Sequence, residues 1–266
     1  MREFEYVEGN LRRLLAYYAR SRSVGETSEN DGLALSFCGR DYPMFNTAAL
    51  TLPAPVSRRD LEARLGQAFV YFQARRVRWS CWICREFLEP AIRLSCTSIV
   101  NDLGFRLLND LPGMVTDNAS SPTRILPKVT FSPVTDMASR MAFCHINSAA
   151  FELPSTIVRD VYGADEAWRH GLSGWVAFSG TEPVATAATL ADKHSVGLYS
   201  VGVVPRARHR GFAEAITRHA IEQATQHAGV NRIILQSSPS GYKLYRRLNF
   251  REVTRFLVYS APETLG

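Results

Sequence analysis

Apolar positions in the second half of the chain fall into short runs and four-residue steps that alternate in a regular order. Residues 172–178 and 183–189 are mainly apolar stretches on either side of a Ser-Gly-Thr-Glu turn, which predicts a hairpin. Residues 196–204 predict a third strand. Phe212, Ile216, Ala220 and Ala224 then recur at every fourth place, so a helix with one apolar face follows, and Gly229 is placed to end it. The run at 232–237 predicts a strand covered on both faces. A turn cluster at 237–241, a short helix at 242–248 and a strand at 253–259 complete the pattern. Ahead of the hairpin, 129–131 begins a strand, 136–151 reads as a helix and 157–162 as a further helical turn.

Part of that order recurs in the first half. A helix at 4–18 carries Leu11, Leu14 and Leu15 on one face, and strands at 32–38 and 45–52 flank a polar turn. Ser57 caps a helix over 58–73. A strand at 77–84, a helix at 91–103, the Gly104-Phe105 pair and a final strand follow. Helix, strand, helix, Gly-Phe and strand also describe 211–259, so an internal structural repeat is expected. The polar, turn-rich stretch 117–123 marks the boundary. The pattern predicts an α/β (α+β) chain with a mixed twisted sheet flanked by helices, in two domains at 1–117 and 127–266.

Composition adds limits. With 46% hydrophobic and 21% charged residues the chain is ordinary globular protein. No apolar run is long enough to cross a membrane, and the first residues lack the apolar core of a signal peptide, so a cytoplasmic location is expected. The odd count of five cysteines fits no disulfide framework. Cys81 and Cys84 have metal-like spacing but no second pair, and on a strand they point to opposite faces; no metal is expected. Cys96 and Cys144, the latter beside His145, read as core thiols. A formal charge of +6, carried almost wholly by arginine, favours an anionic partner.

The charge is densest between the third strand and the helix after it, where Arg206, Arg208, His209 and Arg210 precede Gly211. The first amides of a helix have no internal partners and the helix dipole adds partial positive charge, so this corner suits a phosphate. The sequence Arg208-x-x-Gly211-x-Ala213 resembles the pyrophosphate signature, Gln/Arg-x-x-Gly-x-Gly/Ala, of the GNAT superfamily of N-acyltransferases. The segment Gly241-Tyr-Lys-Leu-Tyr-Arg-Arg-Leu-Asn-Phe250 is similar to the second signature of that family, in which Leu-Tyr precedes Gly-Phe. The element order over 127–260 is also that of the family. The resemblance implies a GNAT fold, with two GNAT-like domains in tandem. The first is degenerate: Leu52-Pro-Ala-Pro-Val-Ser-Arg-Arg59 stands where the signature would be, and this half is expected not to bind coenzyme A.

It further implies transfer of an acyl group, acetyl first among them, from acyl-CoA to the amine of a small molecule. Val201 and Val203 would supply backbone contacts to the pantetheine arm. Arg208, His209, Arg210, Gly211, Phe212 and Ala213 would cradle the pyrophosphate. Tyr245 takes the place of the general acid, against the alternative of a tyrosine packed in the core. Ser238 stands where relatives carry an asparagine that touches pantetheine or orders a water. The base is not readable: Glu152, Glu166 and His194 are candidates only as groups near strand ends, and each is otherwise a solvated surface group. The chain departs from the family at Arg206 and His209, which replace a glutamate and a glycine, and at Asn249, which replaces the glycine of Gly-Phe. Two other functions stay open: aminoacyl transfer from charged tRNA, and acyl-CoA sensing without turnover.

Overall fold

The structure, a computed structural model, describes residues 2–262. The chain divides into two compact units, one of residues 114–251 and the other of residues 2–113 with the segment that begins at Glu252. The expected boundaries kept the last strand in the second domain, whereas here it belongs to the first unit. Met1 and residues 263–266, the outer ends of the two expected domains, lie outside the described residues.

The first unit runs α1 (Glu3–Arg20), β1 (Glu26–Asn30), β2 (Leu33–Phe37), β3 (Thr47–Leu50), α2 (Arg58–Gln73), β4 (Ser80–Cys84), α3 (Pro90–Arg93), α4 (Cys96–Asp102) and into β5 (Arg106–Thr116). The second runs β6 (Thr130–Pro133), α5 (Met137–Phe151), α6 (Ser155–Tyr162), β7 (Leu172–Ser179), β8 (Glu182–Ala191), β9 (Val196–Val203), α7 (Phe212–Ala228), β10 (Ile233–Gln236) and α8 (Pro239–Arg247). The closing strand is β11 (Arg251–Ser260).

In the first unit the strand order is β1-β2-β3-β4-β11-β5. Strand β11 pairs antiparallel with β4, from Phe256↔Cys84 to Ser260↔Ser80, and buries Phe256, Val258 and Tyr259. Apolar alternation predicts that strand but cannot name its neighbour, which is why it was expected elsewhere. Strand β1 was not expected at all. Its residues Glu-Thr-Ser-Glu-Asn include no apolar side chain, and it stands at the sheet edge with β2 as its partner. The helix predicted over 91–103 is broken at Leu94–Ser95, where Arg93 turns back and donates to the carbonyls of Leu88 (3.0 Å) and Glu86 (3.3 Å).

In the second unit the order is β5-β10-β9-β8-β7-β6, with β7, β8 and β9 antiparallel and β10 parallel to β9. Helices α5 and α7 both pack on the β7–β9 meander. Asp136 caps α5 by accepting from the Ser139 N–H (2.8 Å). Helix α7 buries Phe212, Ile216 and Ala220, as its spacing predicts, and also Glu214. That carboxylate accepts from Arg218 (2.9 and 3.1 Å) on the same helix and from Arg124 (3.2 Å) in the segment before β6. Removing one member of such a group strands the others, at a cost between that of a surface pair and that of a buried one. Glu214→Ala is therefore expected to lower stability by about 2 kcal/mol, read as a shift in the denaturation midpoint; an unchanged midpoint would show the ion group to be neutral.

Candidate active site

The site is built around β9. Its antiparallel pairing with β8 holds from Ala191↔Val196 to Ala188↔Tyr199 and resumes at Thr186↔Gly202. Across that step β8 advances two residues and β9 three, so β9 bulges at Ser200–Val201, and Ser200 takes a positive φ of 50°. On the other side the parallel register with β10 comprises Ile233↔Val196 and Ile234↔Gly197 and then stops. Strand β10 itself ends at Gln236, so Val201 and Val203 lie farther along β9 than its paired residues. Gly202 lets α5 approach closely: a Cβ there would lie 2.9 Å from that of Ala150.

Strand β9 leads through a 3-10 turn, Pro205–Ala207, into the basic loop and α7. Arg208 is extended, His209 has φ 63° and Gly211, at the N-cap of α7, has φ 89°. His209 thus adopts a left-handed conformation that glycine would take freely, at a cost of about 1–2 kcal/mol in strain. Ala215 closes the first bond of α7, to the Gly211 carbonyl (3.1 Å). Among the described residues, the N–H groups of His209 through Glu214 have no protein acceptor. This is a run of main-chain donors at a helix start, with no side-chain cap on Gly211.

The arginines of the loop have partners within the unit. Arg206 donates to Glu182 (2.6 Å), Arg208 to the Ala150 carbonyl near the end of α5 (3.0 Å), and the Arg210 guanidinium lies 5.2 Å from the centre of the Phe212 ring. Phe212 is buried, and Ala213 follows it in the first turn.

Tyr245 lies on α8 with its ring buried against Phe250, edge to face at 5.7 Å, and against Gly241, where a Cβ would come within 2.9 Å of the ring. The core-packing alternative is thus half met, for the ring is in the core. Its hydroxyl, however, has no hydrogen-bond partner among the described residues. Burial raises the phenol well above the usual tyrosine range, so it stays protonated at neutral pH. Ser238 is the N-cap of α8: its hydroxyl accepts from the Gly241 N–H (3.3 Å) and lies 3.0 Å from that of Ser240. The Ser238-Pro239 pair, a cap followed by proline at the first helical place, was the signal for that role.

The three candidate bases sit on separate segments. Glu152 ends α5 in a left-handed conformation, Glu166 faces Arg169 at 3.9 Å, and the main-chain N–H of His194 donates to Asp192 (2.8 Å). All five cysteines are buried and outside any disulfide. Burial pushes Cys84 up to about 12 and Cys144 up to about 11, and raises Cys81 and Cys96 as well, so none of these four offers a thiolate at neutral pH. Among the described residues no three His, Cys, Asp or Glu side chains gather as a metal ion requires, and no helix is long and apolar enough to cross a membrane.

The corresponding corner of the first unit is built differently. Strand β3 runs parallel to β4 over Thr47↔Ser80 to Ala49↔Trp82. The chain then rejoins the neighbouring segment at a Val56↔Leu88 bridge, where Val56 N–H donates to Phe87 (2.7 Å) and Glu89 N–H to Val56 (3.0 Å). Helix α2 starts on a closed capping box: Ser57 accepts from the Asp60 N–H (3.2 Å), and the Asp60 carboxylate accepts from the Ser57 hydroxyl (2.7 Å). A carboxylate already occupies the place an anion would seek.

Residues 141–250 match the family model described as "Acetyltransferase (GNAT) family". The chain is similar in structure to a GCN5-related N-acetyltransferase from Kribbella flavida, with a TM-score of 0.73 and 18% identity over 96% of this chain and 95% of that one. It is similar to a conserved protein of unknown function from Staphylococcus epidermidis ATCC 12228, with a TM-score of 0.64 and 14% identity over 89% and 94%. It is also similar to a tandem GNAT protein from the clavulanic acid biosynthesis pathway, with a TM-score of 0.58 and 10% identity over 99% and 97%. No curated protein sequence matches it. Residues 141–250 are thus similar to that family, and the chain has the GNAT fold, as the tandem GNAT protein has.

Proposed function

We propose that the protein is an N-acyltransferase that moves an acyl group, acetyl first among candidates, from acyl-CoA to the amine of a small molecule. The observation that carries this reading is the run of unpaired amides at 209–214, after a strand whose register with β10 ends at Gly197. In this reading the arm of the carrier lies along Val201 and Val203, and its pyrophosphate takes the N–H groups at the start of α7. The amine attacks the thioester carbon, the carbon–sulfur bond breaks, and the Tyr245 hydroxyl gives its proton to the departing sulfur; the proton shed by the amine nitrogen passes to solvent water, which returns one to Tyr245. Ser238 contributes by holding α8, and hence Tyr245, in place. Five reduced, buried thiols fit a cytoplasmic setting. Arg206, Arg208 and Arg210 all have contacts within their own unit, which weakens the case for an RNA surface.

Acetyl-CoA at a hundred times its dissociation constant is expected to stabilise the fold by about 2.7 kcal/mol, seen as a higher melting temperature. Free thiol should then appear when amines are added to the mixture. Neither shift nor thiol release with any acyl-CoA would remove the reading; a shift without release across a broad amine panel would favour a sensor.

A further inference from the structure

The bulge in β9 is held by polar side chains that strand pairing does not require. Asn147, on α5, donates its side-chain amide to the Phe143 carbonyl (3.0 Å) and to the Thr186 hydroxyl (3.2 Å). Thr186, on β8, donates in turn to the carbonyl of Ser200 (3.0 Å). Both side chains are buried, at 2% and 0% exposure. The hydroxyl of Tyr162, on α6, lies 3.4 Å from that of Ser200. Apolar residues would pack these places at no desolvation cost, so the polar relay is kept against a penalty. It ends on one particular carbonyl.

That carbonyl shares a planar trans peptide with the N–H of Val201, so the two point in opposite directions. Thr186 draws the carbonyl toward β8. The Val201 N–H is thereby turned away from β8, toward the side on which β9 has left its register with β10. A left-handed Ser200 is costly for a residue with a side chain and persists only where its surroundings hold it. The relay supplies that hold.

We infer that Thr186, backed by Asn147, is a positioning residue for acyl transfer: it fixes the Ser200–Val201 peptide so that the Val201 N–H faces the acyl group. The inference rests on the function proposed above. A donor aimed in advance at the thioester oxygen stabilises the charge that grows there without reorganising during the reaction. Tyr162 closes the same bulge from its other end, through the Ser200 hydroxyl.

The test compares Thr186→Val, which keeps the shape and loses the hydroxyl, with Thr186→Ser, which keeps the hydroxyl, in the full chain. With acetyl-CoA and an accepted amine, Thr186→Val is expected to lower kcat at least about tenfold, against the hundredfold or more of a lost oxyanion donor. The KM for acetyl-CoA should stay within about threefold, and Thr186→Ser should recover kcat to within about threefold of wild type. A crystal structure of Thr186→Val should show the Ser200 carbonyl turned from residue 186, and one of Thr186→Ser should show it retained. Equal kcat in wild type and Thr186→Val, a serine variant as slow as the valine one, or an unmoved peptide in the valine variant would each overturn the inference. If wild type turns over no amine, the proposed function fails first, and the peptide orientation in the two crystals still decides whether Thr186 aims it. Where Thr186→Val does not fold, Asn147→Leu is read the same way.

Discussion

Tyr245→Phe is expected to lower kcat about 100-fold while the melting temperature and the KM for acetyl-CoA stay near wild type. Among the described residues the hydroxyl has no hydrogen-bond partner, so its loss breaks no such bond, whereas the ring keeps its contacts with Phe250 and Gly241. In the proposed reaction the phenol is the acid, so the loss falls on catalysis. Burial holds it protonated, and the same desolvation raises the proton affinity of a thiolate that leaves beside it. The sign of the pH dependence follows. A tyrosine raised above its ordinary value of about 10 keeps its proton as pH climbs toward that value, so Tyr245 adds no alkaline fall in kcat below about pH 10. Steady-state rates for both proteins from pH 6 to about 9.5, with melts alongside, check this. A phenylalanine variant within threefold of wild type would leave Tyr245 as a core residue only.

The element order of the second unit was legible because each of its strands and helices carries its own apolar period. The basic loop was legible for a related reason: amide donors and positive charge are local properties of Arg208 to Ala213. Where the outcome depends on what lies across the fold, the sequence was silent. Residues 253–259 alternate like any strand, and nothing in them tells whether β4 or another strand will receive them. Glu26–Asn30 forms a strand by backbone pairing at an edge and has no apolar pattern to betray it. Asn147, Thr186, Tyr162 and Ser200 meet from four elements, and only their side-chain bonds reveal that they act together. Glu214 looks like a surface residue in a helix and becomes the buried centre of an ion group because Arg124, 90 residues earlier, reaches it.

The capping of helix starts bears on function in a way that element order does not. Helices α2 and α7 occupy like positions in their units, each following a strand of a parallel pair. One begins on Ser57 and Asp60, which supply an acceptor and a negative charge of their own; the other begins on Gly211, which supplies neither. The bridge at Val56 extends the pairing in the first unit, while the register in the second ends at Gly197↔Ile234. The degenerate character of the first half thus has a physical form, and the expectation that it does not bind coenzyme A can be measured as a stoichiometry.

Calorimetry with acetyl-CoA is expected to give one site per chain, and Gly211→Val to weaken it about 100-fold, or ~3 kcal/mol. At φ 89° a β-branched side chain is strained by about 1–2 kcal/mol, and its Cβ would meet Pro127 at 3.0 Å. The backbone escapes by shifting, which misdirects N–H groups whose bonds to a charged acceptor are each worth about 1.5–3 kcal/mol. Gly229→Val is the control. It sits at the other end of α7 with φ 66°, and no atom lies within 4 Å of a Cβ there, so it carries the same kind of strain away from the loop. Both variants should lose stability, and only the first should lose affinity. Two sites per chain would mean that the first unit opens to the carrier despite its capped helix. Equal loss of affinity in the two variants would mean that the helix as a whole, rather than the amides at its start, governs binding.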